Sequence, residues 1–158
     1  LAPTVYFLTE TLGAFGQLVF TRHGRVITPL HMHPLISTTL SQFWGRRWNL
    51  WVQDWLKDVG VRYARSSRAL RIFVIFACSG LFHEIMFNVP YALYFGKFFF
   101  GNMLLYFVIQ GIGLAIQKSL MVQLPSLLQR LYMWMVVVLP SPLFMNTPYL
   151  EFLELAHG

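Results

Sequence analysis

The sequence predicts an all-α fold, a polytopic transmembrane helical protein with an amphipathic interfacial helix in its cytosolic loop. Three observations lead there. Of 158 residues, 56% are hydrophobic and 11% charged, with a positive mean hydropathy, unlike an ordinary soluble domain. Apolar runs recur near the length of about 20 residues that a helix needs to cross the hydrocarbon layer. The cations gather in one stretch between such runs, so the net charge of +6 points to anionic lipid headgroups rather than nucleic acid. Cys78 is the only cysteine, which excludes an internal disulfide and zinc sites built from cysteine pairs; in its apolar run it reads as a small packing residue. No internal repeat, low-complexity tract or linker divides residues 1–158, so a single domain is expected. The chain starts at Leu1 without a basic leader, so nothing resembles a cleaved signal peptide, and the missing initiator methionine suggests a fragment or a processed product.

Four candidate spans follow in order: Val5 to Phe20, short and interrupted by Glu10; Ala69 to Phe95, carrying His83 and Glu84; Phe98 to Gln117; and Leu131 to Leu150. Pro140 and Pro142 are expected to kink the last one, or to mark re-entrant backbone whose freed carbonyls neighbouring protein satisfies. Between the first two spans lie Arg22, Arg25, Arg46, Arg47, Lys57, Arg62, Arg65 and Arg68, with Arg71 at the edge of the second. The next connection has only Lys97, the third has Lys118 and Arg130, and the tail has Glu151 and Glu154. This alternation places the long basic loop and the third connection in the cytosol.

Within the basic loop, Leu40, Trp44, Trp48, Trp51, Trp55 and Val59 recur at steps of three and four, so they share one helix face. Arg46, Gln53 and Lys57 project from the other side. Thr39 and Gln42 have the spacing of a capping box and Gly60 can end the helix. Four of the five tryptophans thus form a stripe suited to lie at the headgroup level, with Arg46 and Arg47 on lipid phosphates. Asn49 sits beside the stripe, near Val52 and Leu56, where a structural hydrogen bond is the common use of an amide.

The second informative stretch is CSGLFHEIMF, residues 78 to 87. An ionisable residue inside a span is costly and defaults to a functional hypothesis. His83 and Glu84 are about 100° apart around the axis, so they need not share a partner. Ala77, Ser79 and Gly80 one turn earlier would let another helix approach closely. His83 can bridge helices and Glu84 can pair with an arginine; equally, histidine is the side chain best suited to take and return a proton near neutral pH.

The stretch PLISTTLSQFWGRRWNLWV, Pro34 to Val52, followed by SGLFHEIMF, Ser79 to Phe87, resembles the wax synthase-like branch of the membrane-bound O-acyltransferase family. FWGRRWN and SGLxHE occur in the family's order, with Asn49 and His83 34 positions apart. The likeness covers Pro34 to about Phe95 and, more loosely, the hydrophobic remainder. It implies transfer of an acyl group from acyl-CoA to the hydroxyl of a lipophilic alcohol, a long-chain alcohol foremost, with no cofactor beyond acyl-CoA as co-substrate. It implies His83 and Asn49 as the catalytic pair, His83 as general base and Asn49 either orienting it or donating to the oxyanion. Arg46 and Arg47 are then suited to the phosphates of CoA as much as to those of lipid, and Trp48 and Glu84 join them as substrate-binding candidates, Glu84 in a supporting role. The family also implies a multi-pass protein of the endoplasmic reticulum membrane and many more helices than four, so the chain reads as the C-terminal portion of a longer enzyme. The oligomeric state is open.

Other chemistries fit less well. A metal-dependent oxidase needs several histidines at helical intervals, whereas His31 and His33 flank Met32 in a polar loop and His23, His83 and His157 stand apart, so no metal site is expected. There is no Gly-x-Ser-x-Gly, and Gly111-Ile-Gly113 lacks the third glycine and the strand of a dinucleotide loop. Two rivals remain: an acetyltransferase acting on a sterol or specialised metabolite, and a non-catalytic membrane scaffold or transporter fragment in which His83 and Glu84 make only buried polar contacts.

Overall fold

The computed structural model describes residues 2–24, 28–63, 67–120, 123–145, 147, 150–151 and 154. Arg25, Arg65 and His157 fall outside them. Among the described residues there is no strand. Three helical runs are long and apolar enough to cross a membrane, Arg68–Phe95, Asn102–Leu120 and Ser126–Phe144. The expected first span does form a helix, α1 (Ala2–Arg22), but it is not among the three, since Thr9, Glu10, Thr11 and Gln17 dilute its apolar run. Among the described residues there are thus three candidate spans where the sequence pattern counted four.

Helix α4 (Arg68–Phe95) starts at Ser67, whose Oγ accepts from the Leu70 N–H at 3.3 Å, and stops at Gly96, whose φ of 67° closes it. At 28 residues it is about 42 Å long. The Gly96–Gly101 connection returns the chain as α5 (Asn102–Leu120), antiparallel to α4. They meet where the small residues predicted: a Cβ on Gly80 would lie 2.8 Å from the Leu104 Cα, and one on Gly111 3.3 Å from the Phe76 side chain. Glu84 seals the end of this hairpin. It is 1% exposed, and its Oε1 accepts from the N–H groups of Gly101 and Leu104 at 2.9 and 3.0 Å. Its other oxygen accepts from the Asn88 amide. A carboxylate so placed satisfies the donors that a helix N-terminus leaves open and sits at the favourable end of its dipole. Among the described residues no arginine pairs with it.

The last span, α6 (Ser126–Val138), breaks at Leu139–Pro140 and resumes as the single turn α7 (Ser141–Phe144). The freed carbonyls have partners on α5. Proline 140 cannot donate to Val136, and Gln110 Nε2 does so instead at 2.7 Å; Tyr106 Oη donates to Val137 O at 3.3 Å. Tyr132 on α6 answers with a bond to Gly113 O at 3.0 Å.

The expected interfacial helix is in two pieces. Thr39 caps α2 (Leu40–Gln42), its Oγ1 accepting from the Gln42 N–H at 3.1 Å, while the Gln42 side chain accepts from Thr38 rather than closing the capping box. A π turn, Phe43–Arg47, follows; the backbone then leaves the helix at Trp48 and Asn49 before α3 (Leu50–Tyr63) begins. Gly60 lies inside α3 rather than ending it, packed so that a Cβ would meet Ile75 of α4 at 2.7 Å. The break divides the tryptophans. Trp44 and Trp48 pack against the core of Leu40, Phe43, Phe76, Phe107 and Met133, whereas Trp51 and Trp55 are exposed.

Candidate functional site

His83 occupies an aromatic box built from three helices. Its ring centroid lies 4.6 Å from Phe107 of α5, 5.4 Å from Phe144 of α7 and 6.4 Å from the nearly parallel ring of Phe87 one turn along α4. Phe144 reaches this place because the proline break turns the chain out of α6. The remaining contact fixes the protons: His83 Nδ1 is 2.7 Å from the Ser79 carbonyl. A carbonyl oxygen only accepts, so Nδ1 carries the hydrogen. In the neutral ring the lone pair is then on Nε2, which no hydrogen bond engages among the described residues.

The FWGRRWN segment is held by buried amides that the sequence reading passed over. Gln110 accepts the Trp44 indole N–H at 3.2 Å through the same carboxamide that reaches Val136. Gln117, two turns on, accepts from the Leu40 N–H at 2.7 Å and donates to Gln129 O at 3.5 Å. Two glutamines seven residues apart in an apolar run were the available signal, since a span tolerates such groups when they face protein.

At the break, loop residues 30–32 pair with residues 47–50. Met32 N–H donates to Arg47 O at 2.8 Å, Leu50 N–H to Leu30 O at 2.9 Å, and between them Asn49 N–H to His31 Nδ1 at 3.0 Å. Backbone that has left the helix is thereby satisfied. Asn49 has a φ of 44°, in the left-handed region that asparagine tolerates better than most residues. Its Oδ1 accepts from the Val52 N–H at 3.4 Å, a cap for α3, and Gln53 Nε2 donates to Trp44 O at 2.7 Å across the gap. His31 is 4% exposed, so HMHP is not simply a polar loop. The Trp48 ring stacks with Phe43 at 5.5 Å and lies 4.5 Å from His31.

Arg46, Arg47, Gln42, Met32 and His33 line a cleft of about 230 Å³. Arg47 Nη1 donates to the carbonyls of Met32 and His33, both at 3.3 Å, while Arg46 is exposed. The structure thus groups Arg46, Arg47, Trp48 and Asn49 at one locus and His83 with Glu84 at another. Asn49 and His83 do not touch; the rings of Trp48, Trp44 and Phe107 run between them at centroid spacings of 6.3, 5.9 and, from Phe107 to His83, 4.6 Å. Among the described residues no three His, Cys, Asp or Glu side chains gather to hold a metal ion.

These elements coincide with a known family. Residues 27–109 match the Membrane bound O-acyl transferase family, over half of the chain, and they contain both loci: the chain belongs to that family. It is 37% identical over 93 residues to a long-chain-alcohol O-fatty-acyltransferase of Simmondsia chinensis, covering 52% of this chain and 26% of that protein. It is 36% identical over 80 residues to a probable long-chain-alcohol O-fatty-acyltransferase of Arabidopsis thaliana, covering 44% and 23%. An acyl-CoA–sterol O-acyltransferase of Arabidopsis thaliana is 32% identical over 93 residues, covering 52% and 27%. The chain thus spans about a quarter of the length of these relatives. No solved structure matches it.

Proposed function

We infer that this chain supplies the reaction centre of an acyl-CoA-dependent O-acyltransferase that esterifies a lipophilic alcohol. Family membership supports the reaction class. The observation that carries the mechanism is the Nδ1–H bond of His83 to Ser79 O at 2.7 Å, which puts the lone pair of the neutral ring on Nε2, among aromatic rings. The alcohol proton passes to Nε2 as its oxygen attacks the thioester carbonyl; the tetrahedral intermediate expels CoA thiolate, and the imidazolium returns the proton to sulfur. The products are an ester and free CoA, with His83 neutral again. General-base assistance of this kind contributes about 10²- to 10⁴-fold in rate.

Asn49 is the second site residue. The rings between it and His83 weigh against direct orientation of the imidazole, so it acts on bound acyl-CoA at its own locus. Arg46 and Arg47 with Gln42 serve the phosphates of CoA at the cleft, while Trp48, packed on Phe43 and His31, supports the segment rather than lining the cleft. Glu84 supports the site by holding α5. Two of the three relatives named above act, by name, on long-chain alcohols, which makes such an alcohol the favoured acceptor and a sterol the alternative. The basic connection before α4 and the Lys118/Arg130 connection face the cytosol; this alternation survives the loss of α1 as a span. The endoplasmic reticulum is the proposed membrane.

The test uses membranes bearing the complete gene product, labelled acyl-CoA of several chain lengths and a panel of alcohols. Ester formed by wild type, and lost with both His83→Ala and His83→Gln at matched abundance, supports the reading and names the acceptor. A glutamine variant as active as wild type would instead favour a scaffold role for His83.

A further inference from the structure

We propose that His31 is a positioning residue, which in its neutral Nε2–H form holds the backbone of Asn49 in place and ties it to α1. Its catalytic meaning rests on the acyltransferase reading above; its geometry does not. A backbone N–H only donates, so the 3.0 Å contact from Asn49 N requires a lone pair on His31 Nδ1. The neutral ring then carries its hydrogen on Nε2, 2.9 Å from Thr9 Oγ1. Thr9 spends its own hydroxyl hydrogen on Tyr6 O at 3.0 Å, which leaves the threonine oxygen to accept. The Asn49 contact alone fixes the tautomer, and the Thr9 contact is consistent with it. An imidazolium, with hydrogens on both nitrogens, would set one N–H against another at Asn49.

The need for such a tie lies in Asn49 itself. A residue with φ of 44° persists where its surroundings over-determine it, and the flanking bonds of Met32 and Leu50 fix the strand-like pairing but not the Asn49 N–H. The rings of Trp48 and Tyr6, 4.5 and 5.6 Å from His31, keep the imidazole from turning. His31 and His83 are consequently opposite tautomers, each set by the one backbone group it meets.

Two variants separate positioning from packing. In His31→Asn the side-chain oxygen can stand where Nδ1 stood and accept from Asn49; in His31→Gln the amide reaches Thr9 but offers no acceptor at the Nδ1 place. The complete protein, in nanodiscs with ¹⁵N-labelled histidine, should show a ring resonance pair that vanishes in His31→Asn and reports an unprotonated Nδ1 and a protonated Nε2. A protonated Nδ1 at His31 overturns the proposal whether or not the protein makes ester. In the ester assay kcat should fall about tenfold or more in His31→Gln, the loss of roughly one good hydrogen bond, and stay near wild type in His31→Asn, with KM for acyl-CoA little changed in either. Equal losses, or the reverse order, overturn the positioning role. A wild type that makes no ester from any acceptor defeats the acyltransferase reading instead, and the ¹⁵N spectrum still decides His31.

Discussion

Gln110 donates to the Val136 carbonyl at 2.7 Å, the carbonyl that Pro140 leaves without its helical partner. The carboxamide is fully buried and its oxygen holds the Trp44 indole. Removing it therefore orphans two groups at once.

Gln110→Leu should destabilise the protein by about 2–6 kcal/mol, since each unsatisfied buried group costs about 1–3 kcal/mol. Pro140→Ala restores an N–H that Val136 can use within α6, so the double variant should lose less than the two single losses added. Thermal unfolding of the four proteins in one detergent checks this; strict additivity would show that Gln110 does not serve the proline break.

His83→Ala should lower the rate of ester formation by about 10²- to 10⁴-fold, the range for a lost general base, with membrane abundance unchanged. Radiolabelled acyl transfer at saturating acyl-CoA measures it. A rise in KM with kcat unchanged would move His83 from proton transfer to binding.

Glu84→Ala should cost about 3–6 kcal/mol, because hydrogen bonds to a charged group are each worth about 1.5–3 kcal/mol and two donors, at Gly101 and Leu104, lose their acceptor. Glu84→Gln keeps an acceptor for α5 and should keep kcat per folded molecule. A glutamine variant that is folded but inactive would place Glu84 in the chemistry.

Acid should weaken the fold at His31. Burial holds its pKa below the ordinary histidine value of 6.5, and its contacts, Tyr6 and Thr9 on α1 with Trp48 and Asn49 at the break, bring no charge. The unfolded chain therefore binds the proton first, so stability falls as pH drops below about 6.5 and goes on falling until the folded ring is protonated. His31→Asn should flatten this part of a melting-temperature against pH curve.

Gly80→Ala should cost about 1–3 kcal/mol by overpacking, because its Cβ would meet the Leu104 Cα, which is backbone and cannot turn aside. Gly45→Ala in the π turn meets nothing within 4 Å and should be neutral within error. Melting temperatures of the pair test whether α4 and α5 are as close as described.

The long apolar run of α4, its helix-facing glycine and the His83–Glu84 pair were legible in the sequence, because burial in lipid writes itself as composition. The break at Asn49 was not. Trp44, Trp48 and Trp51 keep helical spacing straight through it, and a π turn with a left-handed residue after it leaves that spacing unchanged. His31 was hidden for another reason: a histidine in a polar string becomes a buried one only when α1 and the 47–50 segment close over it. The span count differs at α1, which forms a helix of 21 residues, longer than the short run read from the sequence, yet too polar to be among the candidate spans, and the partners of Glu84 are backbone groups that no residue pattern announces.

The seal that Glu84 makes on α5 bears on how the protein enters its membrane. Threaded in alone, α4 would carry an uncompensated carboxylate into lipid, at a cost of about 2.5–3.5 kcal/mol on insertion scales for such side chains. The groups that hydrogen-bond it, Gly101 N–H and Leu104 N–H, are made within the next twenty residues of synthesis. Integration is therefore cheapest when the two helices leave the translocation channel together, as one folded hairpin whose tip is already closed.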